Sequence, residues 1–286
     1  MSPLSSTLCY SAFFILFLFV HLTETANLET KHPAKGLLKV RLDYGLATQP
    51  VRGEDEEGSH RWVWSSYLEF KDPVSSITDS QIRMMAQNAH KEMESDMMQY
   101  DPEDQDGQFA ILPTVMTILA FDNKIILASS QRGRSGFIND WPQSPVKLSL
   151  DRCSVFWRER ALANPDYSNP YSWHRNKAKC GEVNAFHLYY MTNDQPIPDL
   201  NPKMRVTSVR KQGKNYMIVP PCGQNKNGVD SKTEWGCNLL VPDQKVKYLN
   251  DDVAPAGYGL KKIAGGVQRQ GQIQMCTKNR IIWDGE

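Results

Sequence analysis

Six cysteines constrain this 286-residue chain more than any other feature: Cys9, Cys153, Cys180, Cys222, Cys237 and Cys276. Cys9 lies just before an apolar run, AFFILFLFV from Ala12 to Val20, close to Met1. That run has the length of a signal-peptide core and is too short to cross a bilayer. Small and polar residues follow it, ending in Thr25 and Ala26, so residues 1–26 read as a secretory signal cleaved near Ala26. No Lys or Arg precedes the run, and the amino terminus alone supplies the usual positive end. An uncleaved anchor or a buried strand is the competing reading. Cleavage removes Cys9 and leaves five of the six cysteines in a secreted, extracellular and therefore oxidising setting. Two disulfides and a free thiol satisfy that odd count. Three cysteines on a metal with two in one disulfide satisfy it as well.

Bulk charge excludes little but sets a direction. Lys+Arg number 33 against 32 Asp+Glu, a net charge of +1, which argues against a strongly basic nucleic-acid binder and leaves a local patch open. Hydrophobic residues at 40% and charged residues at 23% make an ordinary globular mixture rather than a disordered one. No stretch approaches the ~20 apolar residues of a membrane span, so no stable membrane association is expected after the signal is removed.

Periodicity places the elements. Residues 27–60 carry little hydrophobic pattern, and the run from Gly53 to Gly58 reads as a solvated acidic loop. Arg61 to Phe70 is a strand or packing segment, with Trp62, Trp64 and Tyr67 expected in the core. Residues 78–99 form a helix: Thr78-Asp79-Ser80-Gln81 fits a capping box, and Ile82, Met85, Ala86, Ala89, Met93 and Met97 recur at helical spacing. Thr114–Phe121 and Lys124–Ser129 form a hairpin through Asp122-Asn123. The stretches 132–145 and 164–173 read as loop, with Cys153 in or near a short segment around Val155, Phe156 and Trp157. A helix is expected over 180–191, strands over 204–209, 216–219 and 246–249, and a short helical piece from Cys237 to Val241. Beyond Asn250 the pattern is weak. This order fits one sheet between helices, an α/β fold of three-layer α/β/α type with a central mixed sheet.

Two segments carry chemistry. One is Cys180-Gly181-Glu182 at the start of a predicted helix; the other is Pro220-Pro221-Cys222 followed by Trp235-Gly236-Cys237. With these residues the chain resembles the cytidine-deaminase-like superfamily, and more narrowly its secreted toxin- and effector-type deaminases. The superfamily's zinc motif is [His/Cys]-x-Glu on one helix and Pro-Cys-x-x-Cys at the start of the next. The resemblance covers roughly residues 78–250, which would make 27–77 an N-terminal extension and 251–286 a C-terminal tail. It implies that Cys180, Cys222 and Cys237 bind one zinc and that Glu182 is the catalytic proton shuttle. Zinc suits thiolates in a tetrahedral shell, three protein ligands leave one direction open, and a carboxylate two residues after a ligand can sit beside the metal without binding it.

The spacing departs from the motif, because fourteen residues rather than two separate Cys222 from Cys237. The loop 223–236 must then leave the metal and return, and Gly223, Asn225, Asn227, Gly228 and Gly236 suit such a path. The zinc assignment leaves Cys153 and Cys276 for a disulfide. The competing arrangement is a Cys222–Cys237 disulfide with Cys180 buried. His174 can line the pocket, although a satisfied loop residue is its default role, and His187 reads as core. Phe121, Trp173 and Trp235 can stack a base, although packing is their default role. Arg175, Lys177 and Lys179 form a basic cluster before the motif, by default an exposed turn. The expected function is deamination of a nucleobase in a nucleoside or single-stranded nucleic acid. Its alternative is a non-enzymatic secreted effector or structural protein with disulfide-bonded cysteines on the same fold.

Overall fold

The computed structural model describes residues 27–49, 60–100, 111–133, 135–225, 227–249 and 253–285. The apolar run with its cleavage site, Cys9 and the acidic run 53–58 lie outside the described residues. The protein is mixed α/β, built on a large sheet that is antiparallel except for one short pairing.

The N-terminal part contributes β1 (Arg41–Leu42), α1 (Tyr44–Ala47), β2 (Arg61–Trp62), β3 (Trp64–Phe70) and α2 (Asp79–Met97). The middle contributes β4 (Val115–Phe121), β5 (Lys124–Ser129), β6 (Arg132–Gly133), α3 (Pro145–Ala163) and α4 (Gly181–Thr192). The rest is β7 (Arg205–Gln212), β8 (Asn215–Ile218), α5 (Cys237–Asp243), β9 (Lys247–Tyr248), β10 (Val267–Ile273) and β11 (Ile281–Trp283). The sheet runs β11-β10-β3-β5-β4-β7-β8, with β1 on β3 and β9 parallel to β7. β2 and β6 form a separate two-stranded pair.

β4 and β5 are apolar almost throughout because both faces of the hairpin are covered. Met116, Ile118, Ala120, Ile125 and Leu127 join one core with Met85, Ala89 and Met93 of α2. Leu119, Phe121, Ile126 and Ala128 point into another with Val183, Phe186 and Tyr189 of α4. The period of two along each strand thus separates the two cores. α2 starts at the capping box, with the Thr78 hydroxyl accepting from the Gln81 N–H and the Gln81 side chain accepting from the Thr78 N–H. Among the described residues no helix is long and apolar enough to cross a membrane.

Three features differ from the sequence reading. α3 is a full helix where only a short segment around Val155, Phe156 and Trp157 is expected. Its inward face is regular, with Val146, Leu150, Cys153, Trp157 and Ala161 buried, but exposed Leu148, Val155, Phe156 and Leu162 blur the stripe. The segments read as an N-terminal extension and a C-terminal tail place β3 and β10 side by side in the main sheet. The expected Cys153–Cys276 disulfide is absent: both residues are free thiols. Cys153 lies on α3 in the field of Asp243 and Arg152, whereas Cys276 lies in that of Asp43, Arg61 and Asp140, and burial pushes each thiol up to about 12. Cys222 and Cys237, the competing pair, are also free.

Candidate metal centre

Three sequence-distant segments meet at the edge of α4. Cys180 is the N-cap of α4, Cys222 follows Pro221 in the loop after β8, and Cys237 opens α5. The described part of the loop between Cys222 and Cys237 folds back on itself, with the Ser231 N–H on the Gly223 carbonyl at 2.7 Å and the Asn238 N–H on the Cys222 carbonyl at 2.9 Å. That return solves the long spacing. It depends on Gly236, where a Cβ would lie 2.4 Å from the Cys222 carbonyl oxygen and 2.5 Å from its Sγ.

His174 completes the group. Its ring and the Sγ atoms of Cys180, Cys222 and Cys237 offer four ligand atoms that all lie within 4.8 Å of one another. Cys180 Sγ and Cys222 Sγ are 3.2 Å apart, and His174 Nε2 is 3.7 Å from the Sγ of both Cys222 and Cys237. Three thiols and an imidazole, all buried except the half-buried Cys222, make a donor set that fits zinc. Burial pushes the Cys222 thiol up, but the Cys180 and Cys237 thiols and His174 outweigh it and hold Cys222 well below the usual thiol range. The Cys237 N–H also donates to Cys222 Sγ at 3.1 Å, and Asn176 Nδ2 donates to Cys180 Sγ at 3.3 Å. Such donors favour thiolate sulfur.

His174 stands apart from the sulfurs in one respect. Its Nδ1 accepts the backbone N–H groups of Asn176 and Ala178, each at 3.2 Å. An acceptor carries no proton, so the neutral ring bears its hydrogen on Nε2, aimed between Cys222 and Cys237. With that tautomer His174 Nε2 is a donor toward the Sγ atoms of Cys222 and Cys237, each 3.7 Å away.

Glu182 lies one helical step inside α4 and is buried. Gly181 lets the helix start sit against the sheet, since a Cβ there would lie 2.2 Å from Thr117 Oγ1. The Ser208 hydroxyl donates to Glu182 Oε1 at 2.8 Å, and Thr117 Oγ1 lies 2.7 Å from Ser208 Oγ. With Ser208 committed to the carboxylate, Thr117 supplies the donor of that second bond. Burial, and then the negative charge of Cys222, push the Glu182 carboxyl up to about 7.

Cys180, Cys222 and Glu182 line one cleft of about 350 Å³, whose rim carries Arg132, Arg175, Lys177 and Lys179. Phe121 and Trp235 are buried, as the packing reading expects, and Trp235 stands edge-on to His174 at 5.2 Å. Trp173 is 86% exposed and packs in no core. His187 is a core residue whose Nε2–H donates to the Met275 carbonyl at 3.0 Å, and burial lowers its pKa to about 4. Sequence reasoning missed His174 and Ser208. Ser208 had a signal, a hydroxyl pair Thr207-Ser208 inside an apolar strand; His174 had only its place six residues before Cys180.

Comparison of the chain with protein-family models, curated proteins and solved structures returns no match.

Proposed function

We propose that this protein is a secreted, zinc-dependent deaminase that replaces the exocyclic amine of a nucleobase with a carbonyl oxygen. One observation carries the reading. Glu182, a buried carboxyl held by Ser208, shares a single cleft with Cys180 and Cys222. α2 on one face of the sheet, with α3, α4 and α5 on the other core, supports the three-layer arrangement of the cytidine-deaminase-like superfamily as part of the same proposal.

Cys180, Cys222 and Cys237 would hold the ion, which when bound supplies Lewis acidity that makes water nucleophilic near neutral pH. Glu182 takes a proton from the attacking water and passes it to the amino group, so that base and water become the carbonyl product and ammonia. A carboxyl two residues after a metal-binding cysteine stands beside the ion without binding it and can serve both halves of that transfer. Ser208 fixes the carboxylate toward the cleft. The basic rim, where Arg175 is paired with Glu234 at 3.2 Å and Lys177 is exposed, favours a substrate that carries phosphate, a nucleotide or a single strand rather than a free base.

A second reading has its own support. Four ligand atoms within 4.8 Å can also close a Cys3His shell, a structural site in a non-enzymatic secreted protein. Ammonia release separates the two. The purified protein is assayed on nucleotides and single-stranded nucleic acids as isolated, after chelation and after zinc is restored. Release that disappears and returns supports the enzyme. One zinc per chain with no release, and unfolding on chelation, supports the structural site.

A further inference from the structure

Trp173 is unexplained by the fold. It is 86% exposed, with neighbouring Tyr171 at 72%. An indole left in water contributes little to packing, whereas an exposed aromatic beside cations is a stacking platform. Trp173 lines a second groove, of about 780 Å³, together with Trp235, His174, Lys177 and Lys179. Lys177 and Lys179 line the Glu182 cleft as well. Segment 174–179 is therefore the wall between the two spaces, with reaction residues on one side and the exposed indole on the other. Lys177 is exposed on that wall and its backbone is held at φ +50°, within a turn closed by its N–H on the His174 carbonyl at 2.8 Å.

We propose that this wall is the track of a single-stranded polynucleotide. The reacting base enters the Glu182 cleft, the intervening phosphate meets Lys177, and a flanking base stacks on Trp173. The cleft of about 350 Å³ has room for one nucleoside, which leaves neighbouring nucleotides outside it. The chemistry is shared by DNA and RNA. The proposal rests on the deaminase reading only for which base reacts; binding is measured without turnover.

The test is fluorescence anisotropy of labelled 12-nucleotide single strands of DNA and of RNA, with duplex DNA beside them. At least one single strand is expected to bind, more tightly than duplex and less tightly as salt rises. Trp173→Ala is expected to weaken binding roughly 5- to 150-fold, the loss of one base stack, while Trp173→Phe keeps most of the affinity. Lys177→Gln is expected to lower the logarithmic salt slope by about 0.7, one single-strand phosphate contact. Unchanged affinity in Trp173→Ala, duplex bound as tightly as single strand, or no binding at all would overturn the track. Binding that needs Trp173 in a protein that releases no ammonia keeps the track and removes the deaminase. Ammonia release with binding indifferent to Trp173 does the reverse.

Discussion

The Ser208 hydroxyl donates to Glu182 Oε1 across 2.8 Å, joining β7 to the first turn of α4. This bond favours the ionised carboxylate. Ser208→Ala is expected to leave zinc content unchanged and to move the acidic limb of the pH–rate profile upward by about one pH unit. A profile identical to that of the wild type would show that Ser208 does not act on the reacting carboxyl.

Gly236 is where the long Cys222–Cys237 loop closes on the thiol cluster. An added Cβ would meet the carbonyl oxygen of Cys222 at 2.4 Å and its Sγ at 2.5 Å. Both neighbours belong to Cys222, a proposed metal ligand, so neither can yield without moving the sulfur. Gly236→Ala is expected to lose stoichiometric zinc while Gly257→Ala, at an open position with nothing within 4 Å, retains it. Zinc analysis of the two variants checks this, with full zinc in Gly236→Ala as the contrary result.

His174 is expected to support the sulfurs without binding the metal, because its Nδ1 already accepts two backbone N–H groups. His174→Ala should keep one zinc per chain, with affinity reduced about 10- to 100-fold, as is usual when a supporting partner is removed. The cobalt-substituted variant should keep the wild-type sulfur charge-transfer bands. Loss of zinc at stoichiometric loading would make His174 a ligand and favour the closed structural site.

The central elements were legible because their patterns are unmixed. The capping box at Thr78, the methionine stripe of α2 and the apolar hairpin β4–β5 each follow from local sequence. α3 was not, since its solvent side carries Leu148, Val155, Phe156 and Leu162. β10 was not, since VQRQGQI enters the sheet through polar contacts. Gln272 Nε2 donates to the Arg41 carbonyl at 2.9 Å and to Ser65 Oγ at 3.1 Å, and Arg269 lies 3.6 Å from the Trp283 ring centre. Cys180, Glu182, Cys222 and Cys237 were visible as motifs. His174 was not, because its partnership is made by a loop that returns from sixty residues on, seen in its 2.8 Å backbone bond from Arg175 to the Trp235 carbonyl.

Asp96 predicts a pH dependence of stability. Buried, it accepts from the Leu42 N–H at 3.0 Å and from Trp64 Nε1 at 2.9 Å, and burial pushes its pKa from 3.8 up to about 6. A raised native pKa means that its contribution is complete below the unfolded value near 3.8 and is lost as pH rises through 6. At about 1.4 kcal/mol per pKa unit, the span is worth about 2–3 kcal/mol. Denaturant unfolding of wild type and Asp96→Asn between pH 4 and 7 should therefore differ in slope, the wild type losing more stability with rising pH. Parallel curves would mean that Asp96 keeps an ordinary pKa.

Ammonia release by zinc-loaded Glu182→Gln beside wild type tests the central claim most directly. Gln keeps the size of the side chain and can still accept from Ser208, but it cannot take up and return a proton. Zinc content and fold should be retained, and the rate should fall by about 10²–10⁴-fold, toward the upper end because one group serves several proton transfers. Equal rates in the two proteins at equal zinc content would contradict the assigned chemistry.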